Sequence, residues 1–383
     1  MDLPIELSFW ERDRFFNHLD FTIVGSGIVG LSTAIHLKLA RPEANVLILE
    51  RGALPLGAST RNAGFACFGS MTEILDDLEA RPAEEVWALV AQRYKGLVAL
   101  RHLLGDEAIG YKADGGYEIF LSDDLHSYEM CMDNRSIFND RLSPITGEKE
   151  TFIDRSDHVD QFGFGAAKYM LLNQAEGSIN TGLMMEQLLL KATQLGIKIL
   201  NGIEVVEFED VGGQVALHLK GGHTMKSLHA IIATNGFTKK LLPQLDVLPA
   251  RNQVLISKPI PDLPFSGCFH IDRGYYYFRN IGNRVLFGGG RHLAKVEETT
   301  SVFATNQMIR TKLEELLHQI ILPQHKAEVD YWWSGILGVG EQKTPIVKRY
   351  SDHVTLALRL GGMGVAIGTL LGQEATRVAL DLA

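Results

Sequence analysis

Hydrophobic residues near the start of the chain fall into a strand, turn, helix, strand order. Residues 21–40, FTIVGSGIVGLSTAIHLKLA, begin with a β-rich run and meet a cluster of glycines. They continue with Leu31, Ala34, Ile35 and Leu39 at helical spacing. Arg41 and Pro42 break that helix, and residues 46–50, VLILE, form a continuous apolar run of strand length. Such a run is expected of a parallel strand covered on both faces, so the pattern predicts a βαβ unit.

Farther along, residues 71–78 and 83–104 carry charged helical patterns, and residues 117–122 read as a strand. Residues 123–164 are polar and poorly periodic, and no element is predicted there. An amphipathic helix is expected at 181–195, with short strands near 197–200, 203–209, 215–219 and 228–233. Between 249 and 290, runs rich in Val, Ile, Tyr and Phe are broken by Pro and Gly, which predicts an antiparallel sheet. A helix at 301–321 follows, then a strand at 354–360, a glycine turn and a helix at 365–382. No internal repeat or low-complexity linker separates these regions, so the domains are expected to interleave.

Composition narrows the function classes. At 383 residues the chain is long enough for between two and three domains of ~150 residues. Its 22% charged and 46% hydrophobic content is that of a globular protein. A net charge of -9 without a long basic run offers no electrostatic footprint for nucleic acid. Cys67, Cys131 and Cys268 lie far apart and form no C-x-x-C pair, and the histidines show no metal spacing. Neither a disulfide framework nor a metal site is expected. The charged opening segment lacks the apolar region of a signal peptide, and no apolar stretch reaches the ~18 residues of a membrane span. A cytoplasmic location is expected.

Gly25, Gly27 and Gly30 form a G-x-G-x-x-G motif after a predicted strand and at the opening of a predicted helix. Gly25 allows the tight turn, Gly27 admits a pyrophosphate close to the backbone, and Gly30 lets helix and strand pack closely. The helix N-terminus presents N–H groups and a positive dipole end to the phosphates. Glu50, at the end of the next strand, is placed to accept hydrogen bonds from adenosine ribose hydroxyls. This motif implies a dinucleotide without saying which.

GASTRNAG, residues 57–64, follows shortly after Glu50 and Arg51. With Gly57, Ser59, Asn62 and Gly64 in a G-x-S-x-x-N-x-G pattern, the chain resembles the FAD-dependent D-amino-acid oxidase superfamily, which includes glycine oxidase, sarcosine oxidase and γ-glutamylputrescine oxidoreductase. The resemblance extends to AIIATNG at residues 230–236, to the strand around Val205, and to GGMGVAIGTLLG at residues 361–372. It implies FAD contacts from Gly25, Gly27, Gly30, Glu50, Arg51, Ser59, Asn62, Ala63, Gly64, Val205, Ala233, Gly236, Gly362, Met363, Gly364 and Val365. The fold it implies is α/β. A discontinuous, Rossmann-like FAD-binding domain would be built from residues 1–80, 165–240 and 335–383, and an antiparallel β-sheet with helices from 81–164 and 241–334 would form the substrate domain. The activity it implies is oxidation of an amine or amino-acid C–N bond by hydride transfer to flavin N5, giving an imine that hydrolyses.

Substrate recognition follows the family less closely. The arginine that amino-acid oxidases often place before the C-terminal strand is missing from residues 338–345, GVGEQKTP, where Lys343 is the one cation. No cysteine falls in the segment that carries covalent flavin in relatives, so FAD is expected to be non-covalent. Residues 274–279, GYYYFR, offer an alternative: strand alternation puts Tyr275, Tyr277 and Arg279 on one face, fit to hold a carboxylate and pack an amine. The same face also reads as ordinary sheet with a structural ion pair. A flavin-dependent 2-hydroxy-acid dehydrogenase, a flavin domain of the tRNA-wobble-modifying kind and a non-catalytic flavin-binding protein remain open, as does the electron acceptor.

Overall fold

The computed structural model describes residues 6–382, so the first five residues of the opening segment lie outside it. Strand Leu19–Val24 pairs in parallel with Val46–Glu50 on one side and Thr224–Ile232 on the other. Helix Ile28–Ala40 joins the first two strands, completing the expected βαβ unit. Val354–Leu358 extends the parallel row beyond Thr224–Ile232, and Lys198–Asn201 extends it beyond Val46–Glu50.

Alternation explains why these strands are apolar throughout. Ile23, Ile48 and Ile231 point into a core formed with helices Ile28–Ala40 and Thr181–Gln194. Their neighbours Val24, Leu47, Leu49 and Ile232 point the other way, onto Val205, Val215 and Leu217 of an antiparallel flap. Helix Gly364–Ala379 lies across Ile28–Ala40, where the Thr376 hydroxyl donates to the Thr33 carbonyl.

The second eight-stranded sheet runs from Val329–Val339 through Leu248–Ser257, Arg284–Gly289, Tyr276–Ile281 and Cys268–Ile271 to Gly116–Leu121, Ala167–Asn173 and Phe152–Asp154. It is antiparallel except where Cys268–Ile271 meets Gly116–Leu121 in parallel. One face stacks Phe269 on Phe278 and buries both under helix Gln307–Leu316. The other face turns toward the first sheet.

Four expectations change. Ala167–Asn173 belongs to this second sheet, paired with Gly116–Leu121, although the sequence division gave residues 165–240 to the cofactor domain. Helix Ala83–Leu104, assigned to the substrate domain, buries Leu97 and Leu100 in the core of the first. Residues 125–146, where no element was expected, form a 22-residue helix. Its buried positions are few, among them Cys131, Phe138 and Leu142, so its apolar stripe is too sparse to read. The helix expected from 301 begins at Gln307, capped by Asn306, and widens into a π-turn at Leu317–Ile321. No helix among the described residues is long and apolar enough to cross a membrane.

Candidate active site

The carboxyl ends of the parallel strands open onto a cleft. Helix Ile28–Ala40 starts there behind Gly27, which provides no side-chain cap; instead the Ile28 N–H donates to Ser59 Oγ at 3.0 Å. Gly25 holds a left-handed φ of +107°, which favours glycine. Glu50 is buried and ties the turn together, accepting from the Ser26 N–H (3.1 Å), the Ser26 hydroxyl (2.8 Å) and the Gly52 N–H (2.9 Å). Gly57, Gly361 and Gly362 show the bare backbone of a cradle, since a Cβ added at any of them would meet only open space.

Of the residues expected at the cofactor, Gly25, Gly27, Glu50, Arg51, Ser59, Asn62, Val205, Ala233, Gly236, Gly362, Gly364 and Val365 line this cleft. The Arg51 guanidinium lies 3.7 Å over the Phe237 ring in its wall. Ala63 and Met363 face an adjoining cavity instead. Gly30 and Gly64 line neither space. Gly30 packs the helix onto the Gly25 turn, and Gly64 lies against the Ile179 carbonyl and Arg279.

That adjoining cavity, of about 520 Å³, lies between the two sheets. Asn62, Leu337, Leu360, Gly361, Gly362 and Val365 border both spaces, so the cleft runs into the cavity beside the first turn of helix Gly364–Ala379. Phe65, His270 and Tyr277 form an aromatic wall, with ring centroids 5.2 Å apart for Phe65 and His270 and 5.6 Å for Phe65 and Tyr277. Burial pushes His270 down to about 4, leaving a neutral imidazole, and pushes the Tyr277 phenol up to about 12.

The expected substrate face is only partly realised. Alternation does separate Tyr277 and Arg279 from Tyr276 and Phe278, and Tyr277 reaches the cavity. Tyr275 precedes the strand at the cavity mouth, 49% exposed, with its ring tilted against His292 at a centroid distance of 4.4 Å. Arg279 is corrected: it does not line the cavity. Its Nη1 donates to the carbonyls of Gly64 (2.6 Å), Ile179 (2.8 Å) and Ala63 (3.5 Å), and Nε donates to the Asn280 carbonyl (3.2 Å). Lys343 does reach the cavity, but it is held by Asp77 at 2.6 Å. Sequence reasoning passed over Phe65, Cys67, Glu73, Arg93 and Asn252, which also line it. They come from segments with no motif.

Two buried carboxylates brace the cavity wall. Glu176 accepts from the N–H groups of Phe68 (2.7 Å) and Gly69 (3.0 Å), and Glu118 accepts from the Thr72 N–H and hydroxyl. Burial outweighs these hydrogen bonds and raises both to about 7. The folded protein therefore holds their protons more tightly than the unfolded chain, so each lowers stability as pH rises from about 4.5 to about 7. His229 and His270, both lowered to about 4, act oppositely as pH rises from about 4 to 6.5. The double variant Glu118→Gln/Glu176→Gln should gain on the wild type by up to a few kcal/mol between pH 5 and 8 in urea melts. Parallel stability curves across that range would remove the glutamates from the pH dependence.

The family described as FAD dependent oxidoreductase matches residues 20–378. The chain belongs to this family. This FAD-dependent oxidoreductase is also similar, at low identity, to two curated proteins. The probable oxidoreductase OrdL of Haemophilus influenzae is 22% identical over 93% of this chain and 81% of its own length. The gamma-glutamylputrescine oxidoreductase of Escherichia coli is 24% identical over 92% and 82%. A crystal structure of glycine oxidase from Geobacillus kaustophilus superposes with a TM-score of 0.74 at 18% identity, covering 94% of each chain. This FAD-dependent oxidoreductase is thus an enzyme with the α/β fold expected of it.

For an FAD-dependent oxidoreductase, Glu50 makes a direct test of the cleft. Replacing it with alanine removes a buried anchor of the Ser26 turn together with the carboxylate expected from the sequence to accept from ribose. Glu50→Ala should weaken FAD binding by about 1 to 3 kcal/mol in titration calorimetry of the apoprotein. Unchanged affinity would take Glu50 out of the cofactor site.

Proposed function

We propose that this enzyme oxidises the C–N bond of a small amine or amino acid, giving an imine that hydrolyses in water. The observation that carries this reading is the junction at residues 361–365, where the dinucleotide cleft opens into a cavity of amine size with an aromatic wall. FAD, when bound, supplies the two-electron acceptor. Glu50 and Arg51 would hold its adenosine end, Gly25, Gly27 and Ser59 its diphosphate, and Asn62 with Gly362–Val365 the end nearest the cavity. The dipole of helix Gly364–Ala379 places a positive end at that junction, suited to negative charge developing there.

The chain's own groups orient the substrate. Phe65 and Tyr277 pack its alkyl body. Neutral His270 offers a lone pair to an N–H of the neutral amine. A 2-hydroxy acid would need a base in the cavity for its hydroxyl proton, and an imidazole lowered to about 4 is a weak one, whereas an amine can leave its proton in water before it binds, which favours the amine. We place the flavin there without a covalent bond, since no cysteine lines the cleft among the described residues. Three buried, free cysteines fit a reducing, cytoplasmic setting.

Anaerobic mixing of the flavin-loaded enzyme with amines, amino acids and 2-hydroxy acids tests this reading. Bleaching of the flavin's visible absorbance by an amine or amino acid, with the imine-derived carbonyl trapped as a hydrazone, is the expected result. Bleaching by hydroxy acids alone would replace it, and no bleaching by any class would leave a flavin-binding protein.

A further inference from the structure

We propose that Arg93 anchors an anionic group of the substrate, so that the amine oxidised in this cavity also carries a carboxylate. The inference rests on the reading that the cavity holds the substrate. Arg93 stands on helix Ala83–Leu104, is 4% exposed, and lines the cavity. A guanidinium has five N–H donors. The protein engages Nη1 through the Phe68 carbonyl (3.3 Å) and Glu73 Oε1 (3.1 Å). Nε is buried without a partner, and Nη2 makes no hydrogen bond to the protein among the described residues.

Unfilled donors on a buried cation are unfavourable unless something supplies acceptors. Nε and Nη2 form one edge of the guanidinium fork, and two oxygens in a plane are what that edge accepts. Its position suits a substrate anchor. One turn along the helix, Gly96 has no side chain, and this lets the backbone run against the Ala366 carbonyl and Ile367. Arg93 is thereby held beside the first turn of helix Gly364–Ala379, where cleft and cavity meet.

Arg93 keeps a buried donor unpartnered beside its own pairing with Glu73, and among the described residues no other cation of the cavity does. Arg359 pairs with Asp246 at 2.8 Å, Lys343 with Asp77 at 2.6 Å and Arg273 with Asp76 at 3.4 Å. Arg61 donates to the Ser334 carbonyl and lies 4.5 Å over the Phe303 ring. Glu73 and Asp76, the carboxylates lining the cavity, each face one of these cations or Arg93. A simple diamine would find no free carboxylate for its second ammonium, whereas a carboxylate would find the open edge of Arg93.

The test uses flavin-loaded enzyme as wild type, Arg93→Met and Arg93→Lys, with flavin content and melting temperature as controls. Benzoate and its neutral counterpart benzamide are titrated against the flavin visible spectrum, and paired amines with and without a carboxylate are compared in the reductive half-reaction. Arg93→Met should weaken benzoate binding roughly ten- to hundred-fold and leave benzamide within about threefold, with Arg93→Lys between because it keeps the charge and loses the fork. The carboxylate-bearing amine should lose as much, mainly in KM, and its partner little. If no amine bleaches the flavin but benzoate still depends on Arg93, the anion site stands and the amine reading falls. If amines bleach it and both probes respond alike, or neither responds, water fills these donors and the anchor is overturned. An Arg93→Lys variant that folds, keeps its flavin and binds benzoate like wild type would also overturn the fork.

Discussion

Arg279→Ala is expected to leave the enzyme short of flavin rather than selectively blind to one substrate. In the structure the guanidinium is buried at 8% exposure and bridges carbonyls of Ala63, Gly64 and Ile179 from the second sheet. Truncation leaves the Ala63 and Ile179 carbonyls without this donor, while Gly64 keeps the Ile179 N–H (2.9 Å), and opens a void beneath the 57–64 loop, a loss of about 2 to 4 kcal/mol from unsatisfied buried acceptors and lost packing. Because Asn62 on the same loop faces the cofactor cleft, that disorder should appear first as a low ratio of flavin to protein absorbance. Arg279→Lys should recover part of it. Among molecules that keep their flavin, kcat/KM for carboxylate-bearing and carboxylate-free amines should fall together. Full flavin content with a loss confined to carboxylate-bearing substrates would return Arg279 to a substrate role.

Gly30→Ala should be more severe still. A Cβ at this position would overlap the carbonyl oxygen of Gly25 and press on Ile23, both fixed by the parallel strand beneath. Backbone cannot swing aside as a side chain does, so helix Ile28–Ala40 must lift from the sheet, at a cost above about 4 kcal/mol. We expect insoluble protein, or soluble protein without flavin. Gly57→Ala provides the contrast, since its φ of -78° is ordinary and no atom lies within 4 Å of the added Cβ. That variant should melt within about 0.5 kcal/mol of wild type without cofactor, and any defect should appear only in FAD titrations. Equal losses in the two apoproteins would mean that neither glycine has the role described here.

What could be read in advance was local. The G-x-G-x-x-G turn, its helix and the strand ending at Glu50 are decided by neighbours within thirty residues of one another, and those signals sit together in the chain. Arg279 shows the limit. Alternation correctly turned it away from the Phe278 core, yet its acceptors come from residues 63, 64 and 179, and a guanidinium looks the same in sequence whether it will meet a carboxylate or three carbonyls. Arg93 was hidden for a related reason, since a charged helix gives no sign of which arginine the final helix will bury. Ala167–Asn173 was assigned with the strands that follow it, whereas its partner Gly116–Leu121 lies some fifty residues upstream, a distance over which periodicity carries no pairing information.

The order in which the chain visits its two sheets has a consequence for biosynthesis. It enters the first sheet at Leu19, leaves for the second at Gly116, returns at Lys198, leaves again at Leu248 and comes back at Ile346. The cleft needs Gly25 and Val365 together, and helix Ile28–Ala40 finds its cover in Gly364–Ala379. A ribosome-bound chain therefore cannot complete this cleft, the proposed flavin site, until residue 365 has emerged, and the early βαβ unit must wait with one face bare. Flavin capture becomes the closing event of maturation, and a scarcity of the cofactor would be felt at that stage, by chains already fully made.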